Sequence, residues 1–159
     1  DTTKISFYED TYSLYNLYRF AHYYEEAYGK YIWLKSGASL VIEHTEAMTV
    51  IDVNTGSVLK KKKQEDTLFY QINREAAKEI ARQLRLRNIS GIIMIDFINM
   101  KDTAQKEKLL SLLDSECKKD RVHCNVIDMT ALNLVEMTRS KVRKPLHEQI
   151  RSCMKNNRS

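Results

Sequence analysis

Only one proline and four glycines interrupt the 159 residues, and apart from one lysine run there is no low-complexity tract. That composition excludes a flexible linker of the usual kind, so any internal boundary has to be read from pattern. Cysteine is scarce as well. Cys117, Cys124 and Cys153 are odd in number and lack paired spacing, which argues against a secreted disulfide framework and for a reducing, cytoplasmic setting. No apolar stretch approaches the roughly 18 residues needed to cross a bilayer. With Asp1 rather than methionine at its start, the sequence is expected to be a soluble fragment without a membrane span.

What is present suits one compact domain, since 43% hydrophobic residues in a chain of this length can fill a core. The formal charge of +5 favours an anionic partner, but many basic domains merely carry solvated lysines, so charge alone names no function.

Apolar periodicity predicts a helix over 11–28, stopped by Gly29, then strands at Tyr31–Lys35, Leu40–Ile42 and Met48–Val53, the last two suited to a hairpin. Ala76, Ala77, Ile80, Ala81 and Leu84 place one face of a helix over 73–87 on a core, with Asn73 as its cap. Arg74, Lys78, Arg82 and Arg85 form a basic stripe on the other face, read as solvated unless a partner is shown. Gly91-Ile-Ile-Met-Ile-Asp96 has the unbroken apolar character of a central strand buried on both faces. A helix capped by Asp102 comes next and runs to Lys118, then strands at Val122–Ile127 and Leu134–Met137. A last helix is predicted over Val142–Met154, with Pro145 in its first turn. The order α-β-β-β-α-β-α-β-β-α implies an α/β fold, a layered mixed β-sheet flanked by helices.

Two carboxylates end apolar strands: Asp52 in Val50-Ile-Asp-Val-Asn-Thr55 and Asp96 in Ile95-Asp-Phe-Ile98. Half-buried aspartates need hydrogen bonds, an ion pair or a cation, and strand-end carboxylates on neighbouring strands suit Mg²⁺, which takes one or two of them and keeps its waters. The structural alternative stays open, with Asp52 starting a turn with Asn54 and Gly56 and Asp96 capping the next segment. Neither His44, His123 nor the cysteines fall in a zinc or triad pattern. Lys60, Lys61, Lys62 and Lys63 read as a solvated loop unless a phosphate-binding site lies beside them.

Several ordered segments resemble the ribonuclease E/G family. They are Lys35-Ser-Gly, Leu40-Val-Ile, Thr45-Glu-Ala-Met-Thr-Val-Ile-Asp-Val-Asn-Thr-Gly56, Glu75-Ala-Ala, Glu79-Ile-Ala-Arg-Gln-Leu-Arg-Leu-Arg87, Gly91-Ile-Ile-Met-Ile-Asp-Phe-Ile98 and Leu134-Val-Glu-Met-Thr-Arg139. Together they span about Trp33 to Arg139. The resemblance implies an endoribonuclease core in which Asp52 and Asp96 hold the catalytic Mg²⁺ (or Mn²⁺) and Asn54 orients the site. It implies cleavage of single-stranded RNA to leave 5′-phosphate products, in a bacterial cytoplasm. It further implies a deoxyribonuclease I-like catalytic subdomain over 36–159, preceded at 1–35 by a helix-strand piece of a ribonuclease H-like subdomain. The family's oligonucleotide-binding and 5′-sensing parts have no counterpart in this sequence. Lys60–Lys63, Arg121, His123 and Arg139 are then expected contacts to the RNA backbone.

Departures narrow these expectations. Where the family carries a C-x-x-C zinc link, this chain reads Cys153-Met-Lys-Asn156, so no zinc is expected and any homo-oligomer would lack that joint. Ala38, Glu43, His44 and Asn99 replace more usual residues. Asp120-Arg-Val-His123 puts a histidine where some members use a basic side chain near a 5′-phosphate, which implies a weaker or pH-dependent contact. The alternative function is a non-catalytic RNA-binding or assembly module that keeps the nuclease fold; a deoxyribonuclease rests on fold analogy alone.

Overall fold

A computed structural model of the chain describes residues 6–56 and 65–156. The first helical stretch is split. Ser13 caps a single turn, α1 (Leu14–Leu17), by accepting from the Asn16 amide, and Arg19 at φ 51° then breaks the chain before α2 (Phe20–Tyr28). Spacing alone predicts one continuous helix over 11–28. The left-handed Arg19 ends it, and with five tyrosines over half exposed between Tyr12 and Tyr24 there is little burial to hold the longer form together.

Six strands lie in one sheet: β1 (Tyr31–Trp33), β2 (Ser39–His44), β3 (Met48–Asn54), β4 (Gly91–Asp96), β5 (Cys124–Met129) and β6 (Leu134–Arg139). Their spatial order is β1-β2-β3-β4-β6-β5. β3 and β4 run parallel and every other neighbouring pair is antiparallel, so the sheet is mixed as expected. The parallel step needs a crossover, and α3 (Glu65–Leu86) supplies it. α4 (Thr103–Cys117) is capped by the Asp102 carboxylate on the Ala104 amide at 2.9 Å and connects β4 to β5.

Alternation within the strands decides what is buried. Leu40, Ile42, Ile51, Val53, Ile93, Ile95, Val135 and Met137 point to one face, where Ile72, Ala76, Ile80 and Leu84 of α3 and Leu109 and Leu113 of α4 complete the core. Each fully buried Leu or Ile contributes roughly 1.5–3 kcal/mol relative to exposure. The opposite face has no helix packed over it among the described residues. β4 is therefore not buried on both sides: Ile93 and Ile95 are buried, Met94 is half-buried and Ile92 is 49% exposed. β1, which lies before the expected boundary near Ser36, pairs with β2 in this same sheet, and Ile32 and Leu34 join the common core.

α3 begins well before Asn73, which sits inside the helix with its side chain fully buried and is not a cap. The last helix, α5 (Leu146–Asn156), starts at Leu146 and not at Val142, because Pro145 lacks an amide donor and serves as the residue before the first turn. It docks through its start: the Leu146 amide donates to the Arg87 carbonyl, and Asn88 Nδ2 donates to the carbonyls of Arg143 and Lys144. Among the described residues no helix is long and apolar enough to cross a membrane.

Candidate metal centre

Asp52 and Asp96 are direct register partners in the parallel pair, Asp52 near the end of β3 and Asp96 at the end of β4. Local pattern puts them there. In Val50-Ile-Asp-Val-Asn54 the alternate residues Ile51 and Val53 enter the core, which turns Asp52 and Asn54 to the open face; Ile93 and Ile95 do the same for Asp96. Adjacent strands are about 4.8 Å apart, so the two carboxyl groups stand side by side. Asn54 Nδ2 donates to Asp52 Oδ2 at 2.7 Å, fixing that carboxylate's orientation.

Two side chains from α3 hold the loops on either side. Asn73 Nδ2 donates to the Ile98 carbonyl at 2.7 Å and its Oδ1 accepts from the Ile98 amide at 3.0 Å, locking the chain just past Asp96. Glu75 accepts from the Lys35 and Ser36 amides and ties down the β1–β2 turn. Gly56, at φ 55°, closes the approach from the other side: a Cβ there would lie 2.7 Å from the Gly37 carbonyl oxygen. The turn after Asn54 therefore packs against the turn before Ala38, and glycine is required for it. Sequence pattern suggests a cap at Asn73 and nothing beyond a family match at Glu75, so neither role is visible there. An asparagine on the apolar face of a helix is the one signal that could have revealed the first.

The carboxylate pair repels itself. Asp96 is held above the usual carboxylate range, first by partial withdrawal from water and second by the charge of Asp52. A cation between them would remove that repulsion. No group of three or more His, Cys, Asp or Glu residues converges among the described residues, so the donor set is two hard oxygen ligands. That set fits an ion that keeps several waters, as Mg²⁺ does, and does not fit the three or four nitrogen and sulfur ligands of a zinc site.

The expected RNA contacts do not gather here. Lys60–Lys63 lie outside the described residues. Arg121 and His123 are exposed, but β5 begins beside Arg139 and the start of β4, whereas Asp96 pairs with Leu134 at the other end. The length of β4, roughly 17 Å, separates them from the carboxylates. Arg139 is a correction: it is 4% exposed, with Nε donating to Asp120 Oδ2 at 2.9 Å and Nη1 donating to Asn88 Oδ1 and the Ile89 carbonyl. Nε and Nη1 are thus committed to the fold, and the buried Arg139 acts as a structural tie rather than as a surface contact.

A cavity of about 710 Å³ is also remote from the carboxylates, between α2, the end of β2 and the start of α5. His44 and His147 stack across it with ring centroids 3.8 Å apart, and His44 Nδ1 lies 3.0 Å from Thr49 Oγ1. Arg87 beside it donates to Gln83 Oε1 and to the carbonyls of Gly29 and Glu26. These contacts join α5 and α2 to the sheet.

The sequence is similar to those of known proteins. The chain is 41% identical over 145 residues to ribonuclease G of Escherichia coli, a match covering 91% of this chain and 29% of that protein. It is 42% identical over 143 residues to ribonuclease G of Haemophilus influenzae, covering 90% and 29%, and 42% identical over 115 residues to ribonuclease E of a Nostoc species, covering 72% and 17%. The chain thus spans less than a third of the length of these relatives. The profile of the ribonuclease E/G family matches residues 1–142, and the chain, carrying two abreast carboxylates on its parallel pair, belongs to that family.

Proposed function

We propose that this chain is the catalytic core of a Mg²⁺-dependent endoribonuclease that cleaves single-stranded RNA and leaves a 5′-phosphate on the downstream product. The observation that carries the reading is the Asp52–Asp96 register pair with Asn54 bonded to Asp52. The relatives named ribonuclease G and ribonuclease E support it. In this reading 36–159 corresponds to the deoxyribonuclease I-like subdomain of the family and 1–35 to the end of its ribonuclease H-like subdomain.

Asp52 and Asp96 would hold the ion, and Mn²⁺ has the same oxygen preference. When bound, Mg²⁺ supplies charge neutralisation at the scissile phosphate and acidifies water. Asn54 keeps the Asp52 carboxylate from rotating away, and Asn73 keeps the segment after Asp96 in place. Water adds to phosphorus and the bond to the 3′ oxygen breaks, so the upstream piece ends in a 3′-hydroxyl and the downstream piece keeps the phosphate. Arg121 and His123, about one strand length away, would touch the RNA backbone at a distance from the cut.

The test is calorimetric binding of Mn²⁺ and Mg²⁺ to the chain and to its Asp52→Asn and Asp96→Asn variants, with cleavage of a 5′-phosphorylated single-stranded RNA alongside. Binding should be lost in both variants and cleavage should fall by about 100-fold or more, the scale of removing one preorganised electrostatic partner. Equal metal binding in all three proteins would sink the mechanism. RNA retention that ignores metal would then favour a non-catalytic RNA-binding module.

A further inference from the structure

The open face of the sheet carries two aromatic side chains that the metal centre does not use. In β1 only Ile32 enters the core; Tyr31 and Trp33 turn outward and are 60% and 73% exposed. Large aromatics normally bury most of their area, so a tryptophan this exposed on a three-residue edge strand adds little to the fold. Its place is informative. Tyr31 pairs with Val41, Val41 with Asp52, and Asp52 with Asp96, so all four lie in one row across the sheet. Trp33 pairs with Ser39 and Ser39 with Asn54, which makes the next row.

At the usual strand spacing each aromatic stands about 10 Å from the polar residue of its row, a span that a few nucleotides bridge. We propose that Tyr31 and Trp33 form a stacking platform for bases of the RNA strand whose phosphate faces Asp52 and Asp96. The proposal rests on the nuclease reading and adds to it the residues that position the strand. Stacking on aromatic faces accepts any base, which suits recognition of a single strand without sequence readout. Lys30 and Lys35 flank the platform, both exposed, and half-buried Val41 gives it an apolar floor beside the carboxylates.

Trp33 is the sole tryptophan of the sequence, so its fluorescence reports on this site alone. The chain is titrated in EDTA, where nothing is cut, with a single-stranded decaribonucleotide and with an abasic oligomer of the same length. The expected result is saturable quenching by the base-bearing strand and none by the abasic one. Trp33→Ser should weaken binding of a labelled strand, read by anisotropy, by roughly 5- to 100-fold, and Trp33→Phe should restore most of it. Equal quenching by both oligomers, or no quenching up to millimolar RNA, overturns the platform. So does a blue shift that grows with protein concentration in the absence of RNA, which would make this face a contact between copies of the chain. Asp52→Asn in the same titration separates the two ideas. Quenching retained, with calorimetric Mn²⁺ binding unaffected by that variant, would leave the platform standing and the metal mechanism fallen; no quenching in either protein, with Mn²⁺ binding lost in the variant, would remove the platform alone.

Discussion

Partial withdrawal from water, and then the charge of Asp52 beside it, raise the proton affinity of Asp96, so ionising that carboxyl works against the fold. A carboxyl whose folded pKa lies above its unfolded value contributes stability that is fully present below the unfolded pKa. That contribution is lost as pH rises through the folded pKa. Without metal, Asp96→Asn should therefore melt at a higher temperature than the parent at pH 7, the gap closing as pH falls below the ordinary carboxylate range. Added Mn²⁺ should raise the parent's melting temperature and leave the variant's unchanged, as binding to the native state alone requires. A variant that melts lower at pH 7 in EDTA would mean that Asp96 is a structural anchor. At this scale the sequence is informative where a polar residue interrupts an apolar alternation, as Asp52, Asn54 and Asp96 do. It is silent on Arg139, because a basic residue at a strand end looks the same whether it faces a phosphate or a buried partner. Asp120, which decides the matter, sits on a different loop.

α3 does more than cross from one parallel strand to the next. Its apolar positions are readable from spacing, but Asn73 and Glu75 act on loops distant in sequence, and no helical period announces such a bond. Asn73 satisfies both backbone groups of the half-buried Ile98 from within the core, so its removal leaves a donor and an acceptor without these partners. Asn73→Ala should cost about 2 kcal/mol or more of unfolding free energy. It should also weaken Mn²⁺ binding although neither carboxylate is altered. Urea midpoints and calorimetry on the same preparation check both halves; a destabilised variant with unchanged metal affinity would show that the loop after Asp96 is held by other means. The first helix misleads for the converse reason. Leu14, Leu17, Tyr18 and Ala21 have helical spacing, yet a period only marks a face, and the mostly exposed aromatics of α1 and α2 gain too little burial to override the break at Arg19.

For the molecule as a whole, strand and helix order is readable from pattern. The spatial order with β6 between β4 and β5 is not, since antiparallel neighbours can be exchanged without changing any strand's own sequence. The bare face of β4 is equally hidden, as Ile92 and Met94 are apolar and still lie outside the core. The stacked histidines make a prediction at this scale, because they join β2 to α5, elements far apart along the chain. His44 is pushed down to about 4, chiefly by burial and then by His147 and Arg87, against an opposing pull from Glu148. His147 is also lowered, first by burial and also by Arg151 and Lys141, with Glu148 again opposing. The folded state thus takes up protons later than the unfolded chain. Stability should be intact above about pH 6.5 and fall as pH drops towards 4. Urea midpoints across that range should decline in the parent and flatten in His44→Phe; parallel slopes would assign the acid loss elsewhere.

The single parallel pair also sets the order in which the two carboxylates arrive during folding. The β2–β3 hairpin closes through the short turn after His44 and carries Asp52 alone. Asp96 joins only after the whole α3 crossover has collapsed onto the sheet, a long-range step that comes later than local pairing. On the proposed reading, a chain still emerging from the ribosome has half a metal site, and the message beside it is spared until the crossover is docked.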